Sequence, residues 1–313
     1  MTIFCRAPYE AVCIHASGKI VPCCATSIDD NVSNAPGNVA NFFNNPVFKE
    51  IRTTLEQGEY PEYCKTCKFA EENNSPSHRE KLNYHLDRCS NKSEPGKLKY
   101  LDIAFSNTCN LTCAMCSNKY SSKWNELTKN APEEILKITN QTRNHTNTLS
   151  YSDIDEILDN SADLERVIIK GGEPLYDKKT LYYLENLEKI NSTVELNIIT
   201  NFTVYNEKLI SKFPNLNLTL SIDGINDTYE YIRGGNFDVI KENFIKVSKL
   251  NRVSYIHFTL SAYNLHQAQQ TRDFFGDISS KYNNENNYRF ILNIAHNNHL
   301  RAGHISEDKY IKA

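Results

Sequence analysis

The residues best suited to chemistry are three cysteines in the run Cys109-Asn-Leu-Thr-Cys113-Ala-Met-Cys116. They follow directly on the strand-like segment 97–105, at a point where a strand ends and a helix can begin. A chain that turns back there can aim three sulfurs at one centre. Thiolates are soft ligands that favour zinc or iron–sulfur clusters. A structural zinc is usually closed by four ligands, and this run supplies three. A cubane cluster held by three cysteines keeps one iron free to bind something else. The residues themselves leave open a zinc loop that borrows its fourth ligand from elsewhere.

The other seven of the ten cysteines lie in the first hundred residues: Cys5, Cys13, Cys23, Cys24, Cys64, Cys67 and Cys89. Two short strands, Ala11–Ile14 and Lys19–Val21, are joined by Ser17-Gly18 and read as a hairpin. Asn45 then caps a helix with Pro46 in its first turn and Val47, Phe48, Ile51 and Leu55 on its apolar face. Gly58 ends that helix, and the chain passes Pro61 to reach the knuckle Cys64-Lys-Thr-Cys67. Hairpin, helix and knuckle together can return distant thiols to one place. Cys13, at a strand position, is expected in the core, because free cysteine is commonly buried.

At 313 residues the chain has room for one large domain or two ordinary ones. A hydrophobic content of 40% suffices for a core, and 11% aromatic residues argue against a disordered chain. The net charge is −3 with Lys and Arg scattered, which excludes a general nucleic-acid surface. No apolar run is long enough to span a bilayer and no secretory signal is visible, so no membrane association is expected. Ten cysteines without such a signal read as metal ligands in a reducing cytoplasm rather than as a disulfide framework.

The elements that must position the cysteines alternate from Lys97 onward. Strands are expected at Lys99–Phe105, Arg166–Lys170, Val194–Thr200, Leu216–Ile222, Ser254–Leu260 and Tyr288–Asn293. Between them run helical stripes such as Leu181, Leu184, Leu187 and Ile190, or Ile240, Phe244 and Val247, with Asp177 and Asn236 as caps. Strands alternating with helices mean parallel βαβ units. Six units predict an α/β chain folded as a partial (β/α)6 barrel, 97–313, preceded by a small cysteine-rich module, 1–74, and a helical connection, 75–96. Chemistry in such barrels collects at the C-terminal ends of the strands. Those ends carry the cysteine loop, Gly171-Gly172-Glu173-Pro174, Thr200-Asn201 and Ser221-Ile-Asp223-Gly224. Paired glycines allow a close backbone approach and leave strand-edge carbonyls free. The insert 117–163 carries Trp124 and an Asn- and Thr-rich stretch. It reads as a helix, a loop that is either a lid or disordered, and a short helix with Ile154, Ile157 and Leu158 inward. His296, His299 and His304 read as solvated surface histidines.

The Cys-x3-Cys-x2-Cys spacing, with Met115 before the last cysteine, resembles the signature of radical S-adenosylmethionine (SAM) enzymes. Gly171-Gly172-Glu173-Pro174 resembles their Gly-Gly-Glu-Pro motif. The resemblance implies a site-differentiated [4Fe–4S] cluster on Cys109, Cys113 and Cys116, with SAM chelating the open iron. It implies that Gly171, Gly172, Glu173 and Pro174 hold the SAM amino group, that Thr200 and Ser221 contact its ribose or carboxylate, and that Arg233 pairs the carboxylate. A strand-end cap or a surface ion pair is the plainer reading of Thr200, Ser221 and Arg233. The adenine motif of some relatives is missing after the fifth strand, where Asn264 is the nearest substitute.

Cys5, Gly18, Cys23, the segment Gly37-Asn38, Arg52, Pro61 and Cys64-x2-Cys67 resemble the SPASM and twitch auxiliary-cluster modules. That resemblance implies a second [4Fe–4S] cluster on Cys5, Cys23, Cys64 and Cys67, with structural zinc as the alternative and Cys24 able to replace Cys23. Unlike in most such enzymes, the module precedes the barrel, and the chain stops where relatives usually add a closing segment. The implied activity is that of an oxidoreductase-like radical enzyme. SAM is cleaved reductively to a 5′-deoxyadenosyl radical, which abstracts hydrogen from a peptide or protein substrate. A small-molecule substrate is the alternative within enzymes, and a non-catalytic zinc or iron–sulfur scaffold the alternative outside them. A flavodoxin or ferredoxin would supply the electron.

Overall fold

The computed structural model describes residues 3–27, 39–89, 95–139, 141, 148–282, 288–295 and 300. Its framework is one eight-stranded sheet: β1 (Ala11–Ile14), β2 (Ile20–Val21), β3 (Tyr100–Ala104), β4 (Arg166–Lys170), β5 (Glu195–Thr200), β6 (Leu216–Ser221), β7 (Val253–Leu260) and β8 (Arg289–Ile294). In space the order is β2-β1-β3-β4-β5-β6-β7-β8. The strands β3 to β8 are the six expected units, each parallel to the next. Their boundaries fall within a residue of those expected at every end. Alternate strand residues point to opposite faces. Val167, Ile169, Leu196 and Ile198 therefore enter the apolar core, whereas Lys170 and Ile199, of the other parity, line a cavity inside the barrel.

The N-terminal hairpin forms as expected, with Gly18 at φ +80° in its turn, a conformation that costs glycine little. Its placement was not legible in the sequence. Strand β1 pairs parallel to β3, with Cys13 opposite Asp102, so the module extends the barrel's own sheet. Val12, Ile14, Ile20 and Phe48 share one core with Leu101 and Val167. A second cluster joins Cys5, Cys13, Val47, Ile51 and Leu55 to Leu82 and Leu86. The last two belong to helix His78–Cys89, in the segment expected as a connection.

Helices cover the outer face of the sheet where their caps predict. Asn45, Asp177 and Asn236 each accept a backbone N–H within their own first turn. In helix Lys178–Asn191 the buried stripe is Thr180, Tyr183, Leu184 and Leu187, rotated slightly from the expected one. Ile190 is 45% exposed, because Tyr183 takes the inward position. Helix Tyr151–Asp159 buries Ile154, Ile157 and Leu158 and is opened by a capping box between Ser150 and Asp153. Among the described residues no helix is long and apolar enough to cross a membrane. Gly37-Asn38, most of the Asn- and Thr-rich stretch and His296, His299 and His304 lie outside the described residues, as does the side chain of Cys89.

Candidate active site

The loop after β3 is docked on the end of β4. The N–H of Gly172 donates to the Ser106 carbonyl at 3.2 Å, and that of Glu173 to the Thr108 carbonyl at 2.7 Å. A Cβ on Gly172 would lie 2.0 Å from the Thr108 oxygen, far inside contact distance. Gly171 takes φ +132°, a region that favours glycine. The glycine pair thus answers first to the cysteine loop, although both glycines also line the cavity beside it.

From Cys109 the loop is held by side chains of the insert. Ser122 Oγ accepts from the Cys109 N–H at 3.1 Å, Trp124 Nε1 donates to the Cys113 carbonyl at 3.1 Å, and Gln141 Nε2 to the Cys116 carbonyl at 3.1 Å. Helix Ser122–Thr128 places the first two of these groups. All three thiols face one cavity of about 290 Å³, whose wall also includes Gly171, Gly172, Thr200, Ser221 and Arg233. That volume is near the lower end of small-ligand pockets, roughly 300–1,000 Å³.

Burial pushes the Cys113 thiol up to about 11 and Cys116 up to about 12, and it raises Cys109 as well. Such thiols keep their protons until a metal displaces them. Two donors already point at the sulfurs: Arg233 Nη1 lies 3.7 Å from Cys113 Sγ, and Asn201 Nδ2 lies 3.9 Å from Cys109 Sγ. Among the described residues, no three His, Cys, Asp or Glu side chains are gathered so as to hold a single metal ion. A cluster spreads its thiolates over several irons. The donor set fits such a cluster with one iron left open.

The other residues singled out in the sequence divide. Thr200 and Ser221 reach the cavity wall, but the Thr200 hydroxyl donates to Glu173 Oε1 at 2.6 Å. Glu173 is fully buried, accepting also from the N–H groups of Asn201 at 2.6 Å and Leu175 at 3.0 Å. Burial pushes its carboxyl up to about 7 against the pull of those donors. Glu173 therefore ties the end of β4 to that of β5 from behind the cavity, and Pro174 beside it is buried. Arg233 is no surface pair: its guanidinium meets the fully buried Asp223 at 2.6 Å, and its Nε is buried without a hydrogen-bond partner among the described residues. Asn264 is also buried, its amide donating to the carbonyls of Asp223 and Thr259 and accepting from Ser261, so its polar groups are occupied.

Cys5, Cys23, Cys64 and Cys67 lie close enough to act on one another electrostatically. Cys64 and Cys67, three residues apart where helix Lys65–Glu72 begins, share one face. Burial pushes the Cys5 thiol up to about 12, with Cys23 and Cys67 adding to the shift. Burial likewise raises Cys23 and Cys64, and Cys64 senses the other three. Cys24 turns the other way: its Sγ lies 3.6 Å from His78 Nε2, and Asp102 and Lys170 act on it. Cys13 is fully buried in β1. Sequence reading missed the pair Asp102–Lys170, at 2.8 Å. The available signal was an aspartate within the apolar strand Tyr-Leu-Asp-Ile-Ala, since a buried charge demands a partner.

The model of the radical SAM superfamily matches residues 103–275, and that of the SPASM iron–sulfur cluster-binding domain matches residues 5–68. A curated relative, GTP 3′,8-cyclase of Clostridium botulinum, is 26% identical over 157 residues, which are 48% of this chain and 43% of that protein. The match therefore spans less than half of the relative. Streptococcus suis SuiB bound to S-adenosylmethionine superposes with a TM-score of 0.45 at 14% identity, over 94% of this chain and 63% of that one. Native anSMEcpe with bound AdoMet gives a TM-score of 0.43 at 16% identity, over 63% and 52%. With a family model covering more than half its length, the chain belongs to the radical SAM superfamily, with an iron–sulfur cluster-binding domain matched at its N-terminal end.

Proposed function

We propose that Cys109, Cys113 and Cys116 hold the [4Fe–4S] cluster that binds SAM, and that Cys5, Cys23, Cys64 and Cys67 hold a second, fully ligated one. The observation that carries this reading is the single cavity onto which the three thiols, the glycine pair and the ends of β5 and β6 all open. When bound, the cluster and SAM supply reductive cleavage to methionine and a 5′-deoxyadenosyl radical, which takes hydrogen from a substrate carbon. The chain's own part is to bind, orient and exclude water. Gly171, Gly172, Thr200, Ser221 and Arg233 form the wall that receives SAM. Glu173 keeps that wall in place from behind. Arg233, kept cationic by Asp223 and Cys113 despite burial, stabilises the thiolate it faces.

The substrate in this reading is a peptide or protein C–H position, as the auxiliary module's resemblance implies, with a flavodoxin or ferredoxin as reductant in a cytoplasmic setting. A small-molecule substrate is a second reading, favoured by the match to a protein named for a nucleotide substrate. Both readings share one test. Anaerobically reduced protein supplied with SAM releases 5′-deoxyadenosine, measured by mass spectrometry. Replacing the trio with alanine removes that product and about half of the iron, if the quartet holds its own cluster. Replacing Cys64 and Cys67 lowers iron but leaves SAM able to perturb the electron paramagnetic resonance signal. A SAM-sensitive signal in the trio variant alone would reverse the assignment. Stoichiometric zinc beside one cluster would make the quartet structural.

A further inference from the structure

Two charged side chains line the cavity, Lys170 and Arg233, and each is backed by a buried aspartate. Arg233 has its place at Cys113. Lys170, the last residue of β4, does not touch the cysteine trio's sulfurs through any hydrogen bond. Its Nζ donates to Asp102 Oδ2 at 2.8 Å; the lysine side chain is 29% exposed and the aspartate's 4%. Asp102 faces Cys13 across the register of β1 and β3. Behind it stand Cys24 and His78, 3.6 Å apart, the first of them the sequence neighbour of Cys23. Lys170 thus stands where the cavity of the trio meets the module of the quartet.

An ammonium group carries three donors. Asp102 takes one, and among the described residues the other two have no acceptor. The pair is electrically balanced, as is Arg233–Asp223, so this wall has no spare positive charge for an anion. A second carboxylate here would add an uncompensated charge beside a buried one. A cation would meet the ammonium. An uncharged oxygen acceptor meets neither obstacle.

Resting on the proposed function, we infer that Lys170, fixed by Asp102, is a substrate-positioning residue whose two unused N–H groups take an uncharged carbonyl oxygen of the amide type. A substrate held there lies between the two cysteine sets. Burial works against the lysine's charge, but the Asp102 carboxylate beside it outweighs burial and holds its pKa above the ordinary range, which keeps all three donors present at neutral pH.

The test uses the anaerobic holoprotein and two defined probes, acetamide and acetate, with binding read by saturation-transfer NMR. The wild type is expected to bind the amide in preference to the acid. The double variant Asp102→Leu/Lys170→Met, which removes both charges and leaves no buried polar atom of the pair unpaired, weakens amide binding about tenfold, the loss of one hydrogen bond to a charged donor. Lys170→Arg, which keeps a donor and the pair, retains most of it. Equal or stronger binding of the acid by the wild type overturns the inference, and so does undiminished amide binding by the double variant or no amide binding by the wild type. A Lys170→Arg protein that no longer responds to SAM would place the lysine on the cofactor and also overturn it. Failure of SAM to perturb the reduced wild-type signal is a separate result, and it sinks the proposed function itself.

Discussion

Gly172 and Glu173 are adjacent in the chain, yet they face opposite tasks. Gly172 is small because the Thr108 backbone occupies the space a Cβ would need. Gly172→Ala is expected to push the cysteine loop off β4 at a cost of about 1–3 kcal/mol or more. Iron analysis should then show the deficit of the trio variant, with the quartet's share retained. Glu173 is a buried acid whose folded pKa, about 7, lies above its ordinary value of 4.5. The folded state therefore binds the proton more tightly than the unfolded one. Its contribution is fully present below about pH 4.5, is lost as the pH rises to about 7, and is level beyond. Denaturant titrations of wild type and Glu173→Gln across that range should differ by this slope. A constant difference would mean the carboxylate's three donors cancel the effect of burial, and a slope of the opposite sign that they outweigh it.

At the scale of the element, helix Ser122–Thr128 acts as a brace for the loop before it. Its Trp124 indole is the donor for the Cys113 carbonyl. Trp124→Phe keeps most of the ring and removes the donor, at an expected cost of about 1 kcal/mol. The reduced resonance signal of the SAM-sensitive cluster should broaden, while the other signal stays sharp. Equal broadening of both would mean a general loosening rather than a local one. The last strand is a different kind of element. Leu292 and Ile294 of β8 are 52% and 66% exposed, in contrast to the central strands, whose apolar residues are buried on the helix side.

At the scale of the molecule, the module and the barrel share a sheet and a core. Removing residues 1–96 would expose the β3 edge and uncover Leu101 and Val167, which pack in one cluster with Val12 and Ile14. Each such side chain contributes roughly 1.5–3 kcal/mol on burial. The fragment 97–313 is therefore expected to lack a cooperative thermal transition and to self-associate through the open edge. Circular dichroism and light scattering would check this. A monomeric fragment that melts cooperatively would show the barrel to be an independent domain.

The sequence by itself determined the parts whose signals are local. Strand ends, helix caps and cysteine spacings all lie within a few residues of one another, and backbone sterics and thiol chemistry act at that range. Hence the six strands, the caps Asn45, Asp177 and Asn236 and the three-cysteine loop were legible in advance. Only the tertiary structure decided which polar groups answer one another. Lys170 finds Asp102 across 68 positions and Arg233 finds Cys113 across 120. Glu173 turns from the cavity because the donors of Thr200 and Asn201 stand behind it. The pairing of β1 with β3 belongs to the same class. Parallel strands need a long connection, and nothing in either strand names its partner. Buried charges and open sheet edges are satisfied by whatever the fold brings close, which spacing along the chain does not encode.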